Sequence, residues 1–424
     1  MIEAASIGPF QRRVARRARI TLVLIATFAP HSVIAQASIG AQAMSIVTRV
    51  SPAIANRDLT EGYLTQPMVM GSLSTAGGHF ALEGMLDLEG LTLKRGELDA
   101  GISGEGYVDR RHPHTYLHEL VATATGAFAA TRYSATLGKG FVPFGTDDPM
   151  ARPFEKYPIN HHISQIVERL LATVAVRNGP FLIEAARFNG DEPESPSDLP
   201  NSNRLWDSWS ARATLLPASY LEMQGSVARV KSPELAAGGG LDQRKVSVSA
   251  RAESAASMES RETHYYALAE WARSSDYDGR VRAFSFNTAL AEGELRRGRV
   301  AFAGRFERTE RPEEERLANP FRTKRPATDF SILGRTTWSI ASARASVRTL
   351  QRGTITFTPF VEVEASHVTA QATGSVFNPR EFYGSNTLLS ATFGVSVAAG
   401  MIHRRTGQYG AASRESGEMS MAGM

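Results

Sequence analysis

Ten histidines occur in this chain of 424 residues, and five fall between positions 112 and 162: His112, His114, His118, His161 and His162. Imidazole nitrogens at that density can bind Zn, Cu or Ni, and Glu119, Asp147, Asp148, Glu155 and Glu168 lie close enough in sequence to add oxygen ligands. The set singled out as metal candidates is His112, His114, His118, Glu119, His161 and His162. The same residues fit a second account, in which histidines on a loop hydrogen-bond nearby carbonyls and Pro113 stiffens the turn. The absence of cysteine removes thiolate ligands, disulfides and a cysteine nucleophile. Neither a phosphate-cradling glycine loop nor a His-Glu-x-x-His pair occurs. Ser, His and Asp are plentiful but show no diagnostic spacing. The reading is therefore not an enzyme, with no catalytic residue and no cofactor beyond Cu or Zn at the histidines.

A second group could shape a pore. Gly138-Lys139-Gly140-Phe141-Val142-Pro143-Phe144-Gly145 ends an apolar run with glycines and a proline, and Asp147-Asp148 follow. Lys139, Phe141, Pro143, Phe144, Asp147 and Asp148 could fold a loop inward to narrow a channel, or could simply begin an ordinary loop. Glu362 and Glu364 alternate with apolar neighbours and would face water inside a channel. Arg111, Lys139, Arg152, Lys156 and Arg169 are offset by nearby carboxylates, so no ion preference follows.

The elements that would hold these groups are strands. Leu389, Ala391, Phe393, Val395, Val397, Ala399 and Met401 are apolar, while Ser390, Thr392, Gly394, Ser396, Ala398 and Gly400 between them are small or polar. Successive strand side chains point to opposite faces, so this ribbon has one greasy side and one water-compatible side. Its length exceeds the usual five or six residues of a globular strand and suits the roughly 9 to 11 needed to cross a bilayer at a tilt. Closure is then required, because an unpaired amide in lipid costs several kcal/mol. The expected fold class is all-β, a transmembrane antiparallel barrel. About 14 strands can be placed, between residues 80 and 404, within a range of about 12 to 16. Turn residues such as Asn178-Gly179-Pro180 and Arg297-Gly298 close nearly every second connection, while 140–169, 189–205, 231–243, 310–328 and 368–386 are long and polar. Short periplasmic turns and long extracellular loops fit an outer-membrane barrel. A bulge is expected at Pro359-Phe360, where the alternation breaks. A soluble sandwich would show strands about half this long.

Residues 1–35 are expected to be a signal peptide. Arg12, Arg13, Arg16, Arg17 and Arg19 precede the apolar run Ile20 to Ala29, which Pro30 and His31 interrupt short of a spanning helix, and small residues follow at Ala35 and Ala37. Residues 36–78 are poorly patterned and are expected to be a lead-in or plug, 79–405 the barrel, and 406–424 a flexible tail. The chain counts 47 Lys and Arg against 43 Asp and Glu. Residues 1–35 hold five of the former and only Glu3 of the latter, so the remainder balances and gives no support to a nucleic-acid partner. The partners expected are outer-membrane lipid, the barrel-assembly machinery, and small polar solutes or ions. The oligomeric state is left open.

Several segments resemble a family of Gram-negative outer-membrane β-barrels often found alongside copper and other heavy-metal resistance functions. They are Asp109-Arg110-Arg111-His112-Pro113-His114 with Glu119-Leu120, Phe188-Asn189-Gly190-Asp191-Glu192-Pro193, Asp207-Ser208-Trp209-Ser210-Ala211-Arg212, Ser232-Pro233-Glu234 and Tyr383-Gly384-Ser385. The resemblance implies an outer-membrane location and porin-like passive passage or binding of small polar solutes, with a link to metals. Its alternative is a non-conducting barrel that binds through histidine-rich outer loops. Gly138 to Gly145, with Glu168-Arg169 and Phe188-Asn189-Gly190, is also similar to phosphate-selective porins.

Overall fold

The computed structural model describes residues 34–413 other than 54–55, 76, 94–113, 194, 255–262, 315–331, 353, 372–376 and 401–404. Its strands are β1 (Ile34–Ser51), β2 (Leu59–Thr75), β3 (Phe80–Asp87), β4 (Leu117–Phe128), β5 (Thr131–Gly140), β6 (Arg169–Asn178), β7 (Phe181–Phe188), β8 (Ser208–Ala218), β9 (Leu221–Val230), β10 (Asp242–Glu253), β11 (Thr263–Asp278), β12 (Val281–Arg297), β13 (Val300–Glu314), β14 (Ile332–Val347), β15 (Leu350–Arg352), β16 (Ile355–Ala370) and β17 (Thr387–Gly400). Apart from β14 and β15, which do not pair with each other, each pairs antiparallel with its chain neighbours. β1 also pairs with β17 from Gly40↔Gly400 to Ser51↔Leu389, so the sheet closes into a barrel. β15 resumes the path of β14 after a two-residue gap, and both pair with β16, so the wall counts sixteen strands. Closure leaves no unpaired edge, the condition a strand must meet in lipid. No described helix is long and apolar enough to cross a membrane.

The alternation faces as the sequence predicts. Leu389, Phe393, Val361, Val363, Phe302 and Phe306 are exposed on the outer wall, while Thr392, Glu362, Glu364, Arg305 and Glu307 are buried inside. The connections sort by length as well. The strand ends joined by 76–79, 129–130, 179–180, 219–220 and 298–299 lie at one rim, and those joined by 88–116, 141–168, 189–207, 315–331 and 371–386 lie at the other. Two depart from the rule: 254–262 is long on the short-turn rim, and 279–280 is tight on the long-loop rim.

Three expectations need correction. Residues 36–78 are not a lead-in or plug; most of them form β1 and β2, which complete the wall and account for the two strands beyond fourteen. Their alternation is blurred because β1 turns Met44, Ile46 and Val50 inward, so both of its faces carry apolar groups. In β2 the ladder slips between Gln42 and Met44 opposite Gln66, which has φ 52°, and the parity of the strand resets there. Second, β16 has no bulge at Pro359. Its register with β17 runs unbroken through Pro359↔Val395 and Phe360↔Gly394. The interruption falls on the neighbouring strand instead, where β14 ends at Val347 and β15 begins at Leu350, opposite the proline that lacks a donor. Phe360 points inward beneath the Arg344 guanidinium, 3.8 Å from its carbon, over the open space left by Gly394. Third, residues 406–413 are not a flexible tail. They are folded into the barrel and largely buried. Residues 414–424 and the predicted signal segment up to residue 33 lie outside the described residues.

Candidate functional site in the barrel lumen

Among the described residues, two segments pack deep into the lumen. The connection from β5 to β6, residues 141–168, enters it from the long-loop rim and is buried along most of its length. Gly145 makes its first sharp bend possible: φ is +67°, and a Cβ there would lie 1.6 Å from the Ser164 carbonyl oxygen. Asp148 then caps a turn of 3-10 helix, accepting from the Met150 amide, and a second such turn spans His161–Ile163. Phe144 and Ile166 pack with Leu171, Phe188 and Val230 of the wall.

Ion pairs tie the segment to the opposite wall. Lys156 Nζ sits 2.8 Å from Glu362 Oε1 and also bonds Glu364. Arg152 lies within 3.8 Å of Glu270 and Glu292. Arg344 reaches Glu155 at 2.7 Å and the Phe154 carbonyl at 2.7 Å, and Arg305 donates to the Lys156 carbonyl at 2.6 Å. The pore candidates Phe141 and Phe144 are thus buried packing groups. Asp147 pairs with Arg251 and Arg405, and Glu362 with Glu364 forms the socket for Lys156. Pro143 lies in the same buried run.

The second segment is Arg405–Ser413, which sequence reading missed because it carries no alternation. Arg405 pairs with Asp147 at 2.9 Å and Glu222 at 2.8 Å. Arg212 donates to the Gly407 carbonyl at 2.6 Å. Tyr409 is the hub: its hydroxyl donates to Glu119 Oε2 at 2.7 Å and accepts from the Phe141 amide at 2.9 Å. Burial, reinforced by the Glu119 charge, holds that phenol well above its ordinary pKa, so it stays a donor. Gly410 passes so close to Ser134 that a Cβ would lie 2.5 Å from it. Two small cavities, of about 10 Å³ each, lie beside these contacts.

The histidines gather where the two segments meet the wall. His114, His118 and Asp87 each offer a ligand atom, and these atoms lie within 4.8 Å of one another. The register explains the placement of His118. The β3–β4 ladder shifts between Met85↔Glu119 and Leu86↔Leu117, which makes His118 the extra residue of a bulge and lets both His118 and Glu119 be buried. His118 Nδ1 lies 2.7 Å from Glu168 Oε1, and its Nε2 is buried without a hydrogen-bond partner among the described residues. That is the carboxylate–histidine arrangement that orients a metal-binding ring. Glu168 in turn accepts from the Thr115 amide and hydroxyl and from Lys139 Nζ at 3.0 Å. Burial pushes the Glu168 carboxyl up, but Lys139 and then His118 outweigh it and hold the group well below the ordinary range.

The other candidates part company with this trio. Glu119 is committed to Tyr409, and Lys139 to Glu168. The His161 and His162 rings lie 4.2 Å apart at a tilt, and Tyr157 stands between them and the trio, its ring 4.5 Å from His161 and 5.7 Å from His114. His112 lies outside the described residues. Asp87, the last residue of β3, was not foreseen. Its Oδ2 is 3.4 Å from His114 Nδ1, and its Oδ1 accepts from the Glu89 amide.

A closed sixteen-stranded wall, apolar outside and charged within, with loops folded into the lumen, defines an outer-membrane, porin-like β-barrel. No family model and no curated protein matches the chain. Among solved structures it is similar to the anion-selective porin from Comamonas acidovorans, at 9% identity over 86% of this chain and 99% of that one, with TM-score 0.46. It is also similar to a loop L8 deletion mutant of OmpT from Vibrio cholerae, at 9% identity, 86% and 99% coverage and TM-score 0.46. The third is OccK3 of Pseudomonas aeruginosa, at 11% identity, 88% and 98% coverage and TM-score 0.39.

Proposed function

We propose that this chain is exported to the outer membrane, where it passes or binds small polar solutes or ions by passive means, and that it rests closed. The observation that carries this reading is the chemistry of the lumen filling. Residues 141–168 and 405–413 are held to the wall largely by ion pairs and hydrogen bonds, which water can replace, rather than by one continuous apolar core. Planar-bilayer recording tests it. Stepwise openings from folded protein, more frequent when the filling is loosened, support a channel; a flat trace from every loosened variant supports the non-conducting binding barrel instead.

For the metal link expected from the sequence, the proposed site is His114 and His118 of the expected set joined by Asp87, two imidazoles and a carboxylate that suit Zn or Cu. Calorimetry on the barrel in detergent should give micromolar Zn binding, weakened in a His114→Ala/His118→Ala variant. Identical binding in that variant removes the trio as the site.

A further inference from the structure

Four of the chain's twelve methionines meet at one place in the lumen: Met68, Met70, Met85 and Met150, packed with Tyr157. Their positions are set by register. Met68 and Met70 lie two apart on the inward face of β2, and Met70 is the direct cross-strand partner of Met85 on β3. Met150 arrives from the other side, on the 3-10 turn of the 141–168 segment. Between them is a cavity of about 10 Å³, lined by these four side chains with Gln42, Phe141, Asp148 and Thr406 among the rest. A space of that size holds about one water molecule, or one ion stripped of its shell.

Methionine is a common filler of irregular cores, and four together need no ligand on that ground alone. Asp148 changes the balance. It is 1% exposed, its Oδ2 has no hydrogen-bond partner among the described residues, and the residue is one of those that line the same cavity. A buried carboxylate oxygen without a partner is costly beside an apolar cluster unless a cation or a water meets it. The backbone around it is already committed: the Asp148 amide donates to Thr406 Oγ1 at 2.9 Å, and Oδ1 accepts from Met150. Four thioether side chains and one carboxylate side chain thus border a single-ion space.

We propose that Met68, Met70, Met85, Met150 and Asp148 form a binding site for a soft monovalent metal cation. Thioethers are soft, uncharged donors that bind such ions well and compete poorly for Zn or Mg. One carboxylate matches the single positive charge. The site adjoins the imidazole trio: Met68 is the cross-strand partner of Asp87, and Asp148 lies within electrostatic reach of His114 and His118. Phe141, Asp148 and Met150 come from one inward segment and Thr406 from the other, so the cavity is complete only when both are docked. The proposal does not depend on whether the barrel conducts.

Ag(I) is the probe, because it is monovalent, thioether-binding and stable in air. Titration of the folded barrel in chloride-free detergent buffer should show one tight site, with sulfur neighbours by X-ray absorption. A Met68→Leu/Met70→Leu/Met85→Leu/Met150→Leu variant keeps the volume of the core. It should lose more than about tenfold in Ag(I) affinity, as should Asp148→Asn. His114→Ala/His118→Ala should keep the sulfur-ligated site. Heat-modifiable migration on a gel, a sign of folded barrel, checks each variant. Ag(I) affinity unchanged in the folded four-leucine variant, or an absorption spectrum with nitrogen neighbours alone, would overturn the proposal.

Discussion

Lys156 carries the decisive test of the closed lumen. Its ammonium lies between Glu362 and Glu364 with all three side chains at most 3% exposed, so Lys156→Met removes the cation and leaves two carboxylates on one inward strand face. Residues two apart on a strand are about 7 Å apart, and at an effective dielectric of about 20 their repulsion is roughly 2 kcal/mol. Loss of the pairing adds desolvation, and breaking a buried pair typically costs about 3–5 kcal/mol in all. Ser342 and Ser366 hydroxyls also donate to Glu364, which places the expected cost at the low end, about 3 kcal/mol. At 1.4 kcal/mol per decade, that shifts the balance between docked and undocked segment by roughly 100-fold. Single-channel recording should show open probability rising in Lys156→Met. Lys156→Met/Glu362→Gln/Glu364→Gln, which also removes the repulsion, should return most of the way to the parent. A folded Lys156→Met protein with parental traces would refute the reasoning. A triple variant as open as the single one would show that the tether matters and the stranded charge does not.

Further outcomes follow from the same geometry. Tyr409→Ala removes the hydroxyl that bridges Glu119 and the Phe141 amide, and it should raise conductance with little change in barrel stability, read from urea unfolding in detergent. Gly145→Ala forces a Cβ into the Ser164 carbonyl at φ +67°, so the 141–168 segment should lose its docked form at a cost of at least about 1–3 kcal/mol, visible as new protease cleavage within it. Val363→Arg places a charge on the lipid-facing wall, where Val363 is exposed, and should lower unfolding free energy in bilayers by about 2–4 kcal/mol while costing far less in short-chain detergent.

The wall was legible where one face met lipid and the other met water. β16 and β17 show it best: Val361, Val363, Leu389 and Phe393 go out, and Glu362, Glu364 and Thr392 go in. It was illegible at β1 and β2, because the lumen there is filled by methionines and Tyr63 rather than by water, so the inward face is as apolar as the outward one. His114 and His118 could be named from the sequence as metal candidates, and the fold brings them together. Asp87 could not, since it belongs to a different strand and meets them only through the β3–β4 register. The Arg405–Ser413 segment had no signature, because its hold on the lumen comes from single contacts at Arg405, Thr406, Gly407 and Tyr409 rather than from a repeating pattern.

The proposed opening of a filled barrel draws on the same distribution of contacts. A buried ion pair contributes little net stability, because the attraction repays desolvation that an open, hydrated lumen never incurs. Lys156, Arg152, Arg344 and Arg405 join the inward segments and the wall through such pairs. Most of the pairs would become ordinary exposed ones on opening, each worth about 0–1 kcal/mol. The wall itself rests on its backbone ladders and on the apolar belt in lipid, neither of which changes when the filling moves. On the proposed reading, closure is specific in its geometry and shallow in its energy. The small apolar contacts of Phe144 with Phe188 and of Ala411 with Leu182 set how shallow.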